Sequence, residues 1–194
     1  MIEKPYHHGD LRNTLIETGI NLINEKGLKG FSLRKVATAC NVSHTAPYSH
    51  FQNIDELIHA MGEYVSLKFS EKLRNSILGH ENSPEAVSLL GQAYISFFAD
   101  NPQYFQFLFY HSGVIIDLDS NNEDDYPPFA IFRSAGYEMF RSLGLPEELF
   151  KEKLIVLWSM VHGIASLMTN PGIKYSDDWC KVFTNNISDR RQDT

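Results

Sequence analysis

The chain has 194 residues, 43% of them hydrophobic, which is enough apolar material for a buried core without disulfide or metal staples. Its two cysteines, Cys40 and Cys180, lie far apart and outside any CxxC or His/Cys cluster, so dithiol redox and zinc-finger chemistry are excluded, and no metal or cofactor is expected. The net charge of −7 is uneven: residues 1–50 hold six Lys or Arg against four acids, a charge of +2, which leaves −9 for the other 144 residues, so a polyanion would meet only the amino-terminal part.

No stretch alternates as a strand does, whereas apolar residues recur every three or four positions almost throughout, so the chain reads as all-α. In "DLRNTLIETGINLINEKG", Leu11, Leu15, Ile16, Ile20 and Ile23 share one face, with Asp10 at the positive end of the helix dipole and Gly27 as the stop. Ser32 caps a short second helix whose buried side is Leu33, Val36 and Ala37. After Cys40 to Val42, Ser43 is expected to cap a third short helix, in which Pro47 stands deeper than proline favours and predicts a local distortion. Asn53 and Glu56 predict a capping box for a long helix to about Gly79, with Leu57, Met61, Tyr64, Val65, Phe69 and Leu73 in its stripe. "SPEA" at 83–86 opens a helix to about Asp100, "NP" at 101–102 breaks it, and a short aromatic helix follows. The polar, acidic stretch 117–128 is expected to be the most mobile loop, ahead of helices at roughly 128–143, 146–170 and 176–188. No signal peptide is apparent, and the apolar run "IVLWSMVHGIASLM" at 155–168 is too short to cross a bilayer. A cytoplasmic protein with no membrane partner is expected.

Two short helices joined by a tight turn and braced by a longer one form the pattern of a helix-turn-helix, whose second helix enters the DNA major groove. Residues 32–51 fit that spacing, and "NVSHTAPYSHF" at 41–51 has hydroxyls and imidazoles without a single carboxylate. A surface that faces phosphates should be built in that way.

"FSLRKVATACNVSHTAPYSHFQNIDEL" resembles the DNA-binding signature of TetR-family transcriptional regulators, "YHHGDLR" resembles the start of helix one in one branch, and "LWSMVHGIASL" resembles that branch's carboxy-terminal domain. The resemblance implies a three-helix DNA-binding head at 1–52 and a ligand-binding and dimerising helical bundle at 53–194, about nine helices in all. It further implies double-stranded DNA as partner, a homodimer, and a small-molecule effector. By position, Ser32, Arg34, Ser43, Tyr48 and His50 correspond to phosphate contacts, and His44, Thr45 and Pro47 to base-reading side chains. His7 and His8 suit a phosphate-facing or capping role better than a metal site. Asn41 replaces the usual turn glycine, which Asn tolerates because it accepts the left-handed conformation. Ser49 and Ile54 stand where many relatives have a basic residue, a deficit that Lys4 and Lys35 are placed to offset.

A cluster rich in aromatic side chains provides a candidate ligand pocket, with Met61, Tyr64, Tyr94, Phe97, Phe98, Phe105, Phe109, Trp158 and His162 as its lining; ordinary core packing is the competing account. Gly163, Ala165 and Ser166 are small enough to let a second helix approach, and the resemblance makes their helix part of a dimer interface. The reading is thus a repressor released by a small molecule. Its alternatives are a DNA-binding adaptor docked by a protein at 117–128, and a helical enzyme using the aromatic cavity, for which no nucleophile, metal spacing or phosphate loop stands out.

Overall fold

The computed structural model describes residues 8–120, 122 and 126–188; Lys4, His7 and part of the acidic stretch 117–128 lie outside the described residues. The described residues contain eight α-helices and two 3-10 turns, and no strand. They are α1 (His8–Lys26), α2 (Leu33–Ala39), α3 (Ile54–Ser76), α4 (Ala86–Asp100), α5 (Pro102–Tyr110), α6 (Pro127–Ser142), α7 (Phe150–Met168) and α8 (Trp179–Ser188).

In α1 the five residues of the expected stripe are all buried, and Gly27 ends the helix at φ 71°, its N–H donating to the Ile23 carbonyl (2.7 Å). Ser32 caps α2 by accepting from the Lys35 N–H (3.3 Å), and Leu33, Val36 and Ala37 face inward. The chain then reverses at Asn41, which adopts φ 56° as expected of an Asn in that turn, while the Val42 N–H returns to the Ala37 carbonyl (3.0 Å).

The expected third short helix is replaced by a 3-10 turn, Ala46–Ser49, and Ser43 does not cap it: its hydroxyl pairs with that of Thr45 (3.1 Å). Pro47 is the reason. A helix from this point needs the N–H of residue 47 on the Ser43 carbonyl, and proline has none. The Ser43 carbonyl accepts instead from Ala46 (3.0 Å) and the Thr45 carbonyl from Tyr48 (3.1 Å), the three-residue reach of a 3-10 turn.

At the start of α3, Asn53 Oδ1 accepts from the Glu56 N–H (2.9 Å), and the Glu56 carboxylate reaches back to the Gln52 N–H (2.6 Å), one residue earlier than the usual capping box. The break at Asn101–Pro102 is as read, with the Asn101 side chain donating to the Phe97 carbonyl (2.9 Å) to close the end of α4.

These helices form two compact units. One runs to Val65 and takes in Gln106–Val114; the other comprises Ser66–Phe105 and the chain from Ile115 onward. Both α3 and α5 contribute residues to each unit. In the second unit, α8 lies so close to α4 that a Cβ on Gly91 would stand 1.7 Å from Cε1 of the fully buried Phe183.

Candidate DNA-contacting surface

From Asn41 to Phe51 the chain buries two side chains, Pro47 and Phe51, and leaves Ser43, His44, Thr45, Tyr48 and Ser49 exposed. The two buried residues fix the backbone, and the Arg12 guanidinium lies over the Phe51 ring, 5.4 Å from its centroid. Tyr48 is 58% exposed. His50 is half-buried, tilted against Phe51. Arg34 and Lys35 project from α2 into solvent, and Ser32, occupied as an acceptor, keeps its hydroxyl proton to donate. Pro47 must be removed from the base-reading set: a buried ring anchoring the turn cannot also reach a base edge.

Thr38 carries no signal in the sequence that singles it out. Its hydroxyl donates to the Arg34 carbonyl (3.0 Å) and lies 3.1 Å from Nε2 of His44. A hydroxyl has one proton, and here the carbonyl takes it, so Nε2 must be the N–H that donates to Thr38. In the neutral ring Nδ1 is then an acceptor. Thr38 thereby fixes both the direction of the imidazole and the hydrogen-bonding role of its other nitrogen.

The candidate pocket residues divide between the two units. Met61 and Tyr64 belong to the first unit and make contacts with α1: a Cβ on Gly19 would lie 2.9 Å from the Met61 sulfur, and the Tyr64 hydroxyl donates to Glu17 (2.6 Å). Phe109, at the end of α5, is also in the first unit. The remaining six are together in the second. Tyr94 stands edge-on to Trp158 (5.2 Å) and Phe98 (5.2 Å), Phe97 stacks on Phe69 (5.0 Å), and Phe105 meets both Phe98 and His162 at 5.2 Å.

Within this aromatic shell, the Tyr94 hydroxyl and Nδ1 of His162 are hydrogen-bonded at 2.9 Å. The buried Tyr126 hydroxyl, near Ser66, completes no hydrogen bond among the described residues. Burial pushes both phenols above their ordinary range and holds the His162 imidazole below its own. All three groups are therefore neutral at pH 7.

The depressed imidazole has a measurable consequence. Unfolded chains take up a proton on this histidine near its ordinary value of about 6.5 and the native chain does so only at lower pH, so acid favours the unfolded state in that interval. The contribution of neutral burial is complete above about pH 6.5 and lost as pH falls toward the native value. Urea midpoints recorded between pH 7.5 and 5 are expected to fall more steeply for wild type than for His162→Gln. Equal slopes would remove His162 as a source of acid sensitivity.

On α7, Gly163 and Ser166 are partly exposed, and a Cβ on Gly163 would meet nothing within 4 Å. Ala165 is fully buried, so its methyl faces the chain's own core and cannot be a dimer contact. Val156 (40% exposed) and Leu167 (46%), which periodicity alone does not pick out, are apolar residues left open on this helix.

A short helix, a tight turn and an exposed, carboxylate-free 3-10 segment follow α1 as in a helix-turn-helix of a DNA-binding regulator, with the expected last helix shortened to the 3-10 turn. Residues 15–61 match the family model described as bacterial regulatory proteins, tetR family, and residues 87–189 match that of the tetracyclin repressor-like C-terminal domain. The chain belongs to the TetR family of transcriptional regulators, and is a DNA-binding regulator and not an enzyme.

Over 51 residues it is 39% identical to the class A tetracycline repressor protein from transposon 1721 of Escherichia coli, a match that covers 26% of this chain and spans 24% of that relative's length. Its fold is similar to that of a protein of unknown function from Rhodococcus sp. RHA1 (TM-score 0.72, 24% identity, 96% of each chain). It is also similar to a TetR-like transcriptional regulator from the same organism (TM-score 0.71, 12% identity, 98% of this chain and 100% of that one). Among the described residues no helix is long and apolar enough to cross a membrane.

Proposed function

We propose that the chain is a cytoplasmic, homodimeric repressor with a DNA-binding head at 1–52 and a ligand-sensing, dimerising body at 53–194, which holds a palindromic operator and releases it to a small molecule. The observation that carries this reading is the set Ser43, His44, Thr45 and Tyr48, exposed together on a turn anchored by Pro47 and Phe51. His44 and Thr45 read base edges, while Ser32, Arg34, Ser43, Tyr48 and His50 meet phosphates. So few base contacts need a second copy to make a specific site, which sets half-sites roughly 34 Å apart or a multiple of it. The open stripe of Val156, Gly163 and Leu167 on α7 supports that pairing.

The effector is an uncharged, largely apolar molecule held by rings and by the neutral polar groups of Tyr94, Tyr126 and His162. A tenfold preference for the released shape, about 1.4 kcal/mol per site, weakens the operator complex about a hundredfold across two sites.

Selection of bound sequences from a random DNA pool tests the head. A consensus with two-fold symmetry is expected, with adenine or cytosine facing His44, because those bases offer an amino donor to the Nδ1 acceptor that Thr38 leaves free. Thr38→Val unlocks the ring and should relax the preference at that position, by about 1–3 kcal/mol at most, and leave the rest of the consensus intact. An asymmetric wild-type consensus, or a Thr38→Val consensus identical to wild type, would show these base-reading assignments to be wrong.

A further inference from the structure

A cleft of about 630 Å³ opens beside α2, and its lining includes Lys26 from the last turn of α1, Lys29 from the following turn, and Arg34 and Lys35 from α2. No Asp or Glu lines it, in a chain whose net charge is −7. None of these four cations forms an ion pair among the described residues. The turn is kept tight by two left-handed glycines, Gly27 (φ 71°) and Gly30 (φ 76°). The Lys35 ammonium lies over that turn, 3.2 Å from where a Cβ on Gly30 would be.

Lys26 has a local reason to stand at the negative end of α1. Lys29 and Lys35 have no such reason, and four like charges gathered in one concave surface repel one another until an anion enters. The lining also fixes where that anion comes from. Ser32 and Arg34 form part of the wall, and Thr38, the residue that holds His44, forms another. The cleft thus continues the surface assigned to DNA.

We infer that Lys26, Lys29 and Lys35 form a track for the phosphate backbone flanking each operator half-site, beyond the bases read by His44 and Thr45. The inference rests on the DNA-binding reading above and adds to it a second contact region on the α1–α2 turn. Its partner is duplex DNA. A free phosphorylated metabolite carries the same chemistry and is separated by the test.

The test uses the full chain carrying Lys26→Gln, Lys29→Gln and Lys35→Gln together, with operator affinity measured as a function of salt. All three side chains are exposed, so the variant should fold as wild type does, which thermal melting checks. Each phosphate that a lysine no longer neutralises lowers the salt slope by about 0.9, so the slope of the triple variant should be smaller by about 2.7, and affinity at low salt should fall by more than tenfold. The selected consensus should not change, and the hydroxyl-radical footprint should shorten at its outer edges. An unchanged slope and footprint, with wild type still selecting its operator, would overturn the track alone. Failure of wild type to select any duplex would overturn the track and the DNA-binding reading together. ATP or pyrophosphate protecting these lysines from acetylation, with operator affinity indifferent to the triple change, would assign the cleft to a free phosphate and overturn the proposal too.

Discussion

Gly163→Arg is expected to leave each chain folded and at least as stable as wild type, yet to abolish the proposed dimer and drop operator affinity about a thousandfold, toward the non-specific level. The single chain has room for the side chain, since a Cβ at this position meets nothing within 4 Å. Replacing a mid-helix glycine on α7 adds up to about 1 kcal/mol of helix stability. Harm can therefore come only from another chain seated on that face, where a close helix–helix approach has no space for a guanidinium. Analytical ultracentrifugation, thermal melting and operator titration form the check. A Gly163→Arg variant that is still dimeric and still binds operator would place the interface elsewhere.

Gly91→Ala is expected to have the opposite character, because its clash lies within the chain. The added methyl would overlap the ring of Phe183, which is fully buried and has nowhere to swing. The overlap separates α8 from α4, at a cost of about 1–3 kcal/mol after the smaller gain in helix propensity. Phe183→Ala alone should cost about 3–5 kcal/mol. With the ring gone the methyl has space, so the double variant should be no less stable than Phe183→Ala. Urea unfolding of the four proteins reads the cycle, and strictly additive losses would refute the contact.

These two glycines show where sequence reading reaches and where it stops. Both stand in helices, and composition treats them alike; their difference lies in what the fold brings opposite them, Phe183 in one case and open space in the other. Local features are legible because their causes are local. Asn41 takes the left-handed turn, Asn53 and Glu56 cap α3, and Pro102 opens a new helix, each through bonds made within a few residues. The expectation of a third short helix from Ser43 fails because it weighs Pro47 as a distortion, when the N–H that proline lacks is the one the first turn requires. Thr38 escapes sequence reading because its partner His44 comes within reach only after the chain reverses, a relation with no helical spacing. Met61 and Tyr64 have the right periodicity for a pocket, but periodicity says that a side chain is turned inward and not which neighbour it meets. Here that neighbour is α1. Size alone points to Ala165 as a dimer contact, yet small residues serve close packing inside a chain as well as between chains.

The seating of Met61 on Gly19 and of the Tyr64 hydroxyl on Glu17 has a mechanical meaning. Together with Arg12 over Phe51, these contacts tie α1 to the first turns of α3 and to the end of the turn at 41–51. In the repressor proposed above, a push along α3 would rock these elements together and would not bend the turn that carries His44 and Thr45. In the dimer proposed above, grip and reading would thereby be uncoupled: rocking would change how far apart the two turns stand, while the order of groups presented by each stayed fixed. The same lettering would be read at every stage of release, only with a looser hold.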